Sequence, residues 1–372
     1  MRFQGEGPAL RALLGGWLAT GDLPPAPDEA LASLLVEVAC EQGLAGLLHQ
    51  GIDEQRGWPD GARMALRCAD QEAFAFGVRQ FDAASRIQDL LGVQGIRCLP
   101  LKGAALAERL YDSPAHRPMA DVDLLVLDGW PRAITLLEKA GFIELEQADH
   151  ARGFLDPQSG TIVELHRHIT SCGRLFPLDL EATWKRCQTG TGLTKWVPST
   201  EDLLVHLSLH AAFQHGLALR LVQWLDFRRL LEREPPEAGL VAKIATGANA
   251  QYAVALALEA ARRLVAAPLS PAVEGLVNAW LPNHLRRYLS AKLQADPSDF
   301  LAPAQPRLAW IRWQVARGQR VALIRETLSP SLSASPRPTA TGTLRRALRL
   351  ARRGSFGPFR IRTQQESRPT VR

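Results

Sequence analysis

Apolar residues recur at helical spacing through the first 95 positions. Leu31, Leu34, Leu35 and Val38 mark one amphipathic face, and Phe74, Val78 and Phe81 mark another. Pro24, Pro25 and Pro27 separate the first helix from the second. The texture changes near Ile96. Arg97 to Leu101 is a short apolar run that ends in Lys102-Gly103, and Ala104 to Tyr111 reads as a helix stopped by Asp112-Ser113-Pro114. Val122 to Leu127 is a strand pattern of β-branched and leucine residues. Pro131 starts a helix that runs from Ala133 to Ala140 and closes at Gly141. Phe142 to Glu146, Phe154-Leu155 and Thr161 to His166 read as further strands. This β-α-β-α-β-β order predicts an α+β fold, a small mixed sheet with helices packed on it. From Ser199 the helical period returns, with amphipathic helices over Leu203 to Phe213 and Leu217 to Leu231, and an Ala-, Leu- and Arg-rich region after Pro235-Pro236.

Four regions follow. Residues 1–95 form an N-terminal helical region, 96–198 an α/β core, and 199–328 a C-terminal helical domain. Residues 329–372 begin with the run Ser329 to Pro336 and continue as an arginine-rich tail, which reads as a flexible linker and end. The chain of 372 residues is long enough to bury a full core without disulfides. Its five cysteines include no C-x-x-C pair, so a disulfide framework or zinc knuckle is not expected and a reducing, cytoplasmic setting is. Ala12 to Thr20 is apolar but short and lacks a small-residue cleavage site, so it reads as a core helix and not a signal peptide. No stretch approaches the ~18 apolar residues of a membrane span.

Charge is unevenly placed. Residues 341–372 hold nine arginines and one acid, Glu366, while the other residues hold 35 basic and 37 acidic groups. The net charge of +6 therefore belongs to the tail (+8), and the body is near neutral (−2). Nucleic acid or an anionic membrane is a candidate partner through that tail only. A solvated end is the plainer reading.

The chemistry concentrates in the middle region. Asp121 and Asp123 flank Val122 and, by strand alternation, share a face. Two such carboxylates repel unless a cation sits between them. Hard oxygen ligands favour Mg²⁺ or Mn²⁺, ions commonly shared with substrate phosphates. In Thr161-Ile162-Val163-Glu164-Leu165-His166, Glu164 and His166 share one face. If that strand lies beside the aspartate strand, Glu164 supplies a third acid, and three acids suffice to hold two metals for in-line attack on a phosphoryl group. Gly103, at the start of a helix, lets backbone N–H groups approach phosphate, with Lys102 and Arg117 as the nearby cations.

The pattern L-K-G, then Arg117, then D-V-D-L-L-V, then V-E-L-H resembles the uncharacterised bacterial branch of the polymerase-beta-like nucleotidyltransferase superfamily. The resemblance runs from about residue 30 to 235, through Glu201-Asp202-Leu203-Leu204, His206, His210 and the helix around Asp226. It implies that Gly103 is a phosphate-loop glycine, that Asp121 and Asp123 are the metal pair, and that Glu164 is the third acid. The implied activity is transfer of a nucleoside monophosphate from an NTP to a hydroxyl or phosphate of an unknown small-molecule, sugar, peptide, protein or RNA acceptor. A tailoring step in biosynthesis fits. Here the glycine stands alone and the gap to Asp121 is long for the superfamily.

Two other functions remain open. One is a non-catalytic nucleotide- or partner-binding module, which has no need of three clustered acids. The other is a metal-dependent hydrolase that uses the alternating Glu164, His166 and His168. In the transferase, His166 would contact substrate or support the carboxylates. His206 and His210, spaced i, i+4, read as buried histidines bonded to neighbours ahead of a metal site. Cys98 reads as a core residue.

Overall fold

A computed structural model describes residues 7–53, 57–147, 150–190, 194–301, 308–316 and 318–328. The linker and arginine-rich tail expected at 329–372 lie outside the described residues. The chain opens with helices α1 (Gly7–Thr20), α2 (Glu29–Gln42), α3 (Ala45–Asp53) and α4 (Asp60–Val93). The middle region follows with β1 (Cys98–Pro100), α5 (Lys102–Leu110), β2 (Val122–Val126), α6 (Trp130–Lys139), β3 (Ile143–Gln147), β4 (Ala151–Leu155) and β5 (Ile162–His166). After α7 (Leu180–Arg186) and the short pair β6 (Gln188–Thr189) and β7 (Trp196–Val197), the chain is helical. Its helices are α8 (Thr200–Leu209), α9 (Leu221–Arg233), α10 (Ala238–Gly247), α11 (Gln251–Val265), α12 (Pro271–Trp280), α13 (Asn283–Ala295), α14 (Leu308–Val315) and α15 (Arg320–Leu328). None of the described helices is long and apolar enough to cross a membrane.

The fold is mixed α+β. Its main sheet has five strands in the order β1-β2-β5-β4-β3. Only β2 and β5 run parallel, and their register sets Val122 against Val163, Asp123 against Glu164 and Leu125 against His166. Alternation then divides the sheet into two faces. Val122, Leu124, Phe154, Val163 and Leu165 point into one core, where Phe81, Ala84, Ile87 and Leu91 of α4 and Ala133, Ile134 and Leu137 of α6 meet them. Leu125 on the opposite face joins a second core with Leu101, Leu203, Phe213 and Trp224. Leu35 and Val38 of α2 belong to that same second core, so the N- and C-terminal helices pack into one continuous apolar body.

The expected helical spacing at 74–81 falls within α4, but Phe74 and Val78 are exposed and only Phe81 is buried. The helix expected from Leu217 begins later, at Leu221, because Gly216 and Leu217 take left-handed φ values of 58° and 67°. At the start of α8, Ser199 accepts from the Asp202 N–H, a side-chain cap that fixes where the helix begins.

Candidate active site

The aspartate and glutamate strands are direct neighbours, and their acids lie on one face. Asp123 sits on buried β2 and is only 4% exposed. Lys102 Nζ donates to its Oδ1 at 2.8 Å, and His166 Nε2 lies 2.7 Å from the same atom. Glu164, in register with Asp123 and partly exposed, places Oε2 at 3.3 Å from His166 Nε2. Burial works against charge on Asp123, but the Lys102 ammonium and the His166 hydrogen bond outweigh it and hold the carboxyl far below its ordinary range. Burial also works against charge on Lys102 and His166. Asp123 and its neighbouring acids prevail there too, and both groups are raised.

Asp121 lies one residue before β2. Burial, reinforced by the charge on Asp123, pushes its carboxyl up from 3.8 to about 6. The tight cluster therefore differs from the expected three acids. One ligand atom each from Asp123, Glu164 and His166 lie within 4.8 Å of one another, and Asp121 stands beside this group. Atoms this close can share one octahedral cation, whose opposite ligands stand roughly 4 Å apart. Two carboxylates and an imidazole suit a divalent ion, and the nitrogen favours Mn²⁺ over Mg²⁺. His168 does not join the cluster. Strand β5 ends at His166, so alternation stops there, and His168 Nδ1 accepts from the Thr170 N–H at 3.1 Å.

Lys102 is held by strained backbone. It is a non-glycine residue at φ 47°, a conformation that costs of order 1 kcal/mol and concentrates at functional sites. Gly103 follows at the N-terminal turn of α5 and is buried; a Cβ there would lie 2.7 Å from Met119 Cγ. A larger residue at this position would therefore force Met119 to shift.

Arg117 is placed differently from expectation. It is buried beneath the turn, and its fork faces Asp226 of α9, with Nε donating to Oδ1 at 2.8 Å and Nη2 to Oδ2 at 2.8 Å. Its remaining nitrogen, Nη1, donates to the Pro118 carbonyl at 3.0 Å. Tyr111 donates to the same Asp226 Oδ1 at 2.8 Å. No local signal in the sequence could have paired Arg117 with a residue so distant in the chain.

Histidines surround the acids. The His150 ring, in a segment where no motif flagged it, lies 5.6 Å from that of His166. His206 and His210 line up on α8 and the wide π-helical turn His210–Gln214 that extends it. His210 Nδ1 bonds Gln214 Oε1 at 2.9 Å, as expected for a satisfied core histidine. Both ring nitrogens of buried His206, in contrast, have no partner among the described residues. Cys98 is in the sheet core, where burial pushes its thiol up to about 12, and all five cysteines are free.

The family model of an uncharacterised nucleotidyltransferase matches residues 28–266. The chain belongs to this uncharacterised nucleotidyltransferase family. The match takes in α2 to α11, hence the whole sheet and every residue of the acidic cluster. Membership supports a transferase that moves nucleotidyl groups and takes an NTP as substrate. An antigenic nucleotidyltransferase-like protein from Paracoccidioides brasiliensis is a structural neighbour, 19% identical, with a TM-score of 0.30, over 46% of this chain and 93% of that one. No curated protein matches.

Proposed function

We propose that this nucleotidyltransferase-family protein transfers a nucleoside monophosphate from an NTP to a hydroxyl or phosphate acceptor. The main support is the parallel register of Asp123 with Glu164, which sets two acids on one sheet face with His166 against both. Asp123, Glu164 and His166, with Asp121 beside them, are the residues that would hold Mg²⁺ or Mn²⁺. When bound, such an ion supplies charge neutralisation and Lewis acidity at the phosphoryl group.

The chain's own residues carry the remaining roles. Lys102 neutralises polyphosphate charge, aided by the N-terminal turn of α5 at Gly103. Glu164, the more exposed acid, accepts the acceptor's proton as its oxygen attacks the α-phosphorus. The new O–P bond forms as the bond to the β-phosphate breaks, and pyrophosphate leaves. His166 orients Asp123 and Glu164. Arg117 acts from below by fixing the Lys102-Gly103 turn to α9 through Asp226.

The test is incubation of the full chain with each labelled NTP, Mg²⁺ or Mn²⁺ and a cell extract. Labelled product that disappears with Asp123→Ala supports the proposal. NTP binding without turnover across all four nucleotides would identify a binding module instead, and tightly bound zinc a hydrolase.

A further inference from the structure

We infer that the α8 imidazole wall is the acceptor subsite, and that His206 at its floor hydrogen-bonds a neutral hydroxyl group of the acceptor. The inference rests on the proposed transferase reading and narrows its acceptor class from hydroxyl or phosphate to alcohol.

The geometry comes first. His206, His210 and His215 step outward along α8 and the π-helical turn, with ring centroids 6.4 Å and then 4.3 Å apart. Exposure rises along the series, from 3% at His206 to 8% at His210 to an exposed His215. The row therefore leads from the buried His206 ring out to the surface at His215. π-helical turns are frequent at functional sites, since they displace side chains from the regular helical register. The wall faces the acids: α8 packs against α5, the helix opened by Lys102, and the charges of Lys102 and Asp123 both act on the His206 ring.

The second observation is the unpartnered ring. A buried polar atom without a hydrogen bond costs about 1–3 kcal/mol, and His206 carries two. Neighbouring positions of α8 are leucine and valine, so an apolar residue at 206 would have suited the core. Such polar groups are expected where a ligand completes them.

The chemistry selects the ligand. Burial keeps His206 uncharged, its pKa lowered to about 3, and lowers His210 as well. A neutral imidazole offers one N–H donor and one acceptor nitrogen, which matches a hydroxyl that both gives and takes a hydrogen bond. It offers no positive charge to a phosphate, whose natural partner here is Lys102. In the transfer itself, the acceptor hydroxyl oxygen bonds the α-phosphorus, pyrophosphate departs and the proton passes to Glu164.

The product's linkage and a variant test the inference together. Labelled product from wild-type protein, an NTP, Mn²⁺ and cell extract is isolated, and its linkage read by phosphorus NMR and pyrophosphatase sensitivity. Transfer to an alcohol gives a phosphodiester; transfer to a phosphate gives a phosphoanhydride. The purified labelled species then identifies the acceptor used to compare His206→Leu with His206→Asn. His206→Leu is expected to lower kcat/KM for the acceptor about tenfold or more, leave NTP affinity unchanged, and leave the unfolding midpoint equal or higher. His206→Asn keeps a donor and an acceptor and recovers part of the loss, and it serves alone if the leucine variant fails to fold. A phosphoanhydride product, or a folded variant as efficient as wild type, overturns the inference. No labelled product from wild type overturns the transferase reading itself, an outcome distinct from an unaltered His206 variant.

Discussion

Arg117 offers the sharpest separation between a ligand-binding and an architectural side chain. Its guanidinium and the Asp226 carboxylate are 5% and 1% exposed, joined as a fork with N–O distances of 2.8 Å. Removing one member of such a pair strands a buried charge, at a cost of about 3–5 kcal/mol. Tyr111 would remain as the only other side-chain donor to that carboxylate among the described contacts, so little compensation is available. An arginine that merely reached out to phosphate would cost within about 0.5 kcal/mol when removed. Arg117→Ala is therefore expected to lower unfolding free energy in urea by about 3–5 kcal/mol, and Arg117→Lys by a sizeable part of that because the fork is lost. In a double-mutant cycle, Arg117→Met with Asp226→Leu should cost much less than the sum of the single changes. The reasoning fails if Arg117→Ala unfolds within about 1 kcal/mol of wild type while KM for NTP rises.

Glu164→Gln is expected to lower transfer by about 10²–10⁴-fold, with stability within about 0.5 kcal/mol because the side chain is partly exposed; equal activity would remove it as the base. Gly103→Ala brings a Cβ to 2.7 Å from Met119 Cγ, and a loss of about 1–3 kcal/mol, largely recovered by Met119→Ala, is expected in thermal unfolding. Asp156 is buried, which opposes its charge, but Ser159, Arg86 and the Gln158 N–H lower its pKa below 3.8. Because the folded value is depressed, its contribution is present above 3.8 and is lost as pH falls through the folded value. Asp156→Asn should accordingly flatten the decline in urea midpoint from neutral pH to about 3; a slope equal to wild type would show that Asp156 does not drive it.

The site was legible where chemistry is local and illegible where it depends on pairing. Strand alternation places Glu164 and His166 on one face, and the structure agrees. Nothing in either strand states that β2 and β5 are adjacent and parallel, yet that adjacency brings Glu164 beside Asp123. His166, expected to contact substrate or support the carboxylates in a transferase and to ligate a metal in a hydrolase, joins the tight cluster from a strand position paired with Leu125, one alternation beyond Asp123. Asp121 lies one residue before β2 and is not among the three groups whose ligand atoms come within 4.8 Å of one another. The Arg117–Asp226 pair crosses from the sheet region to α9, a contact that exists only once the helical body has packed. Phe74 and Val78 show the limit of periodicity: spacing identifies a helix, while tertiary packing decides which face is covered.

Charge balance at the site yields the last prediction. Asp121, Asp123 and Glu164 contribute up to three negative charges, while Lys102 contributes one positive charge and His166 at most a second. The raised Asp121 registers the imbalance, since burial beside Asp123 disfavours a further anion. The neighbouring His206 and His210 are held neutral and supply no compensation. A triphosphate arriving alone would thus meet excess negative charge. Two unit charges 4 Å apart interact by about 4 kcal/mol at an effective dielectric of 20, equivalent to nearly three decades in affinity. NTP affinity is therefore expected to fall by at least about 10²-fold when Mg²⁺ and Mn²⁺ are removed with a chelator, measured by calorimetry on the full chain. Asp123→Asn should weaken this dependence by removing one negative charge. Equal NTP affinity with and without divalent ions would show that the acids do not face the polyphosphate, since repulsion of that size cannot be hidden at a shared site.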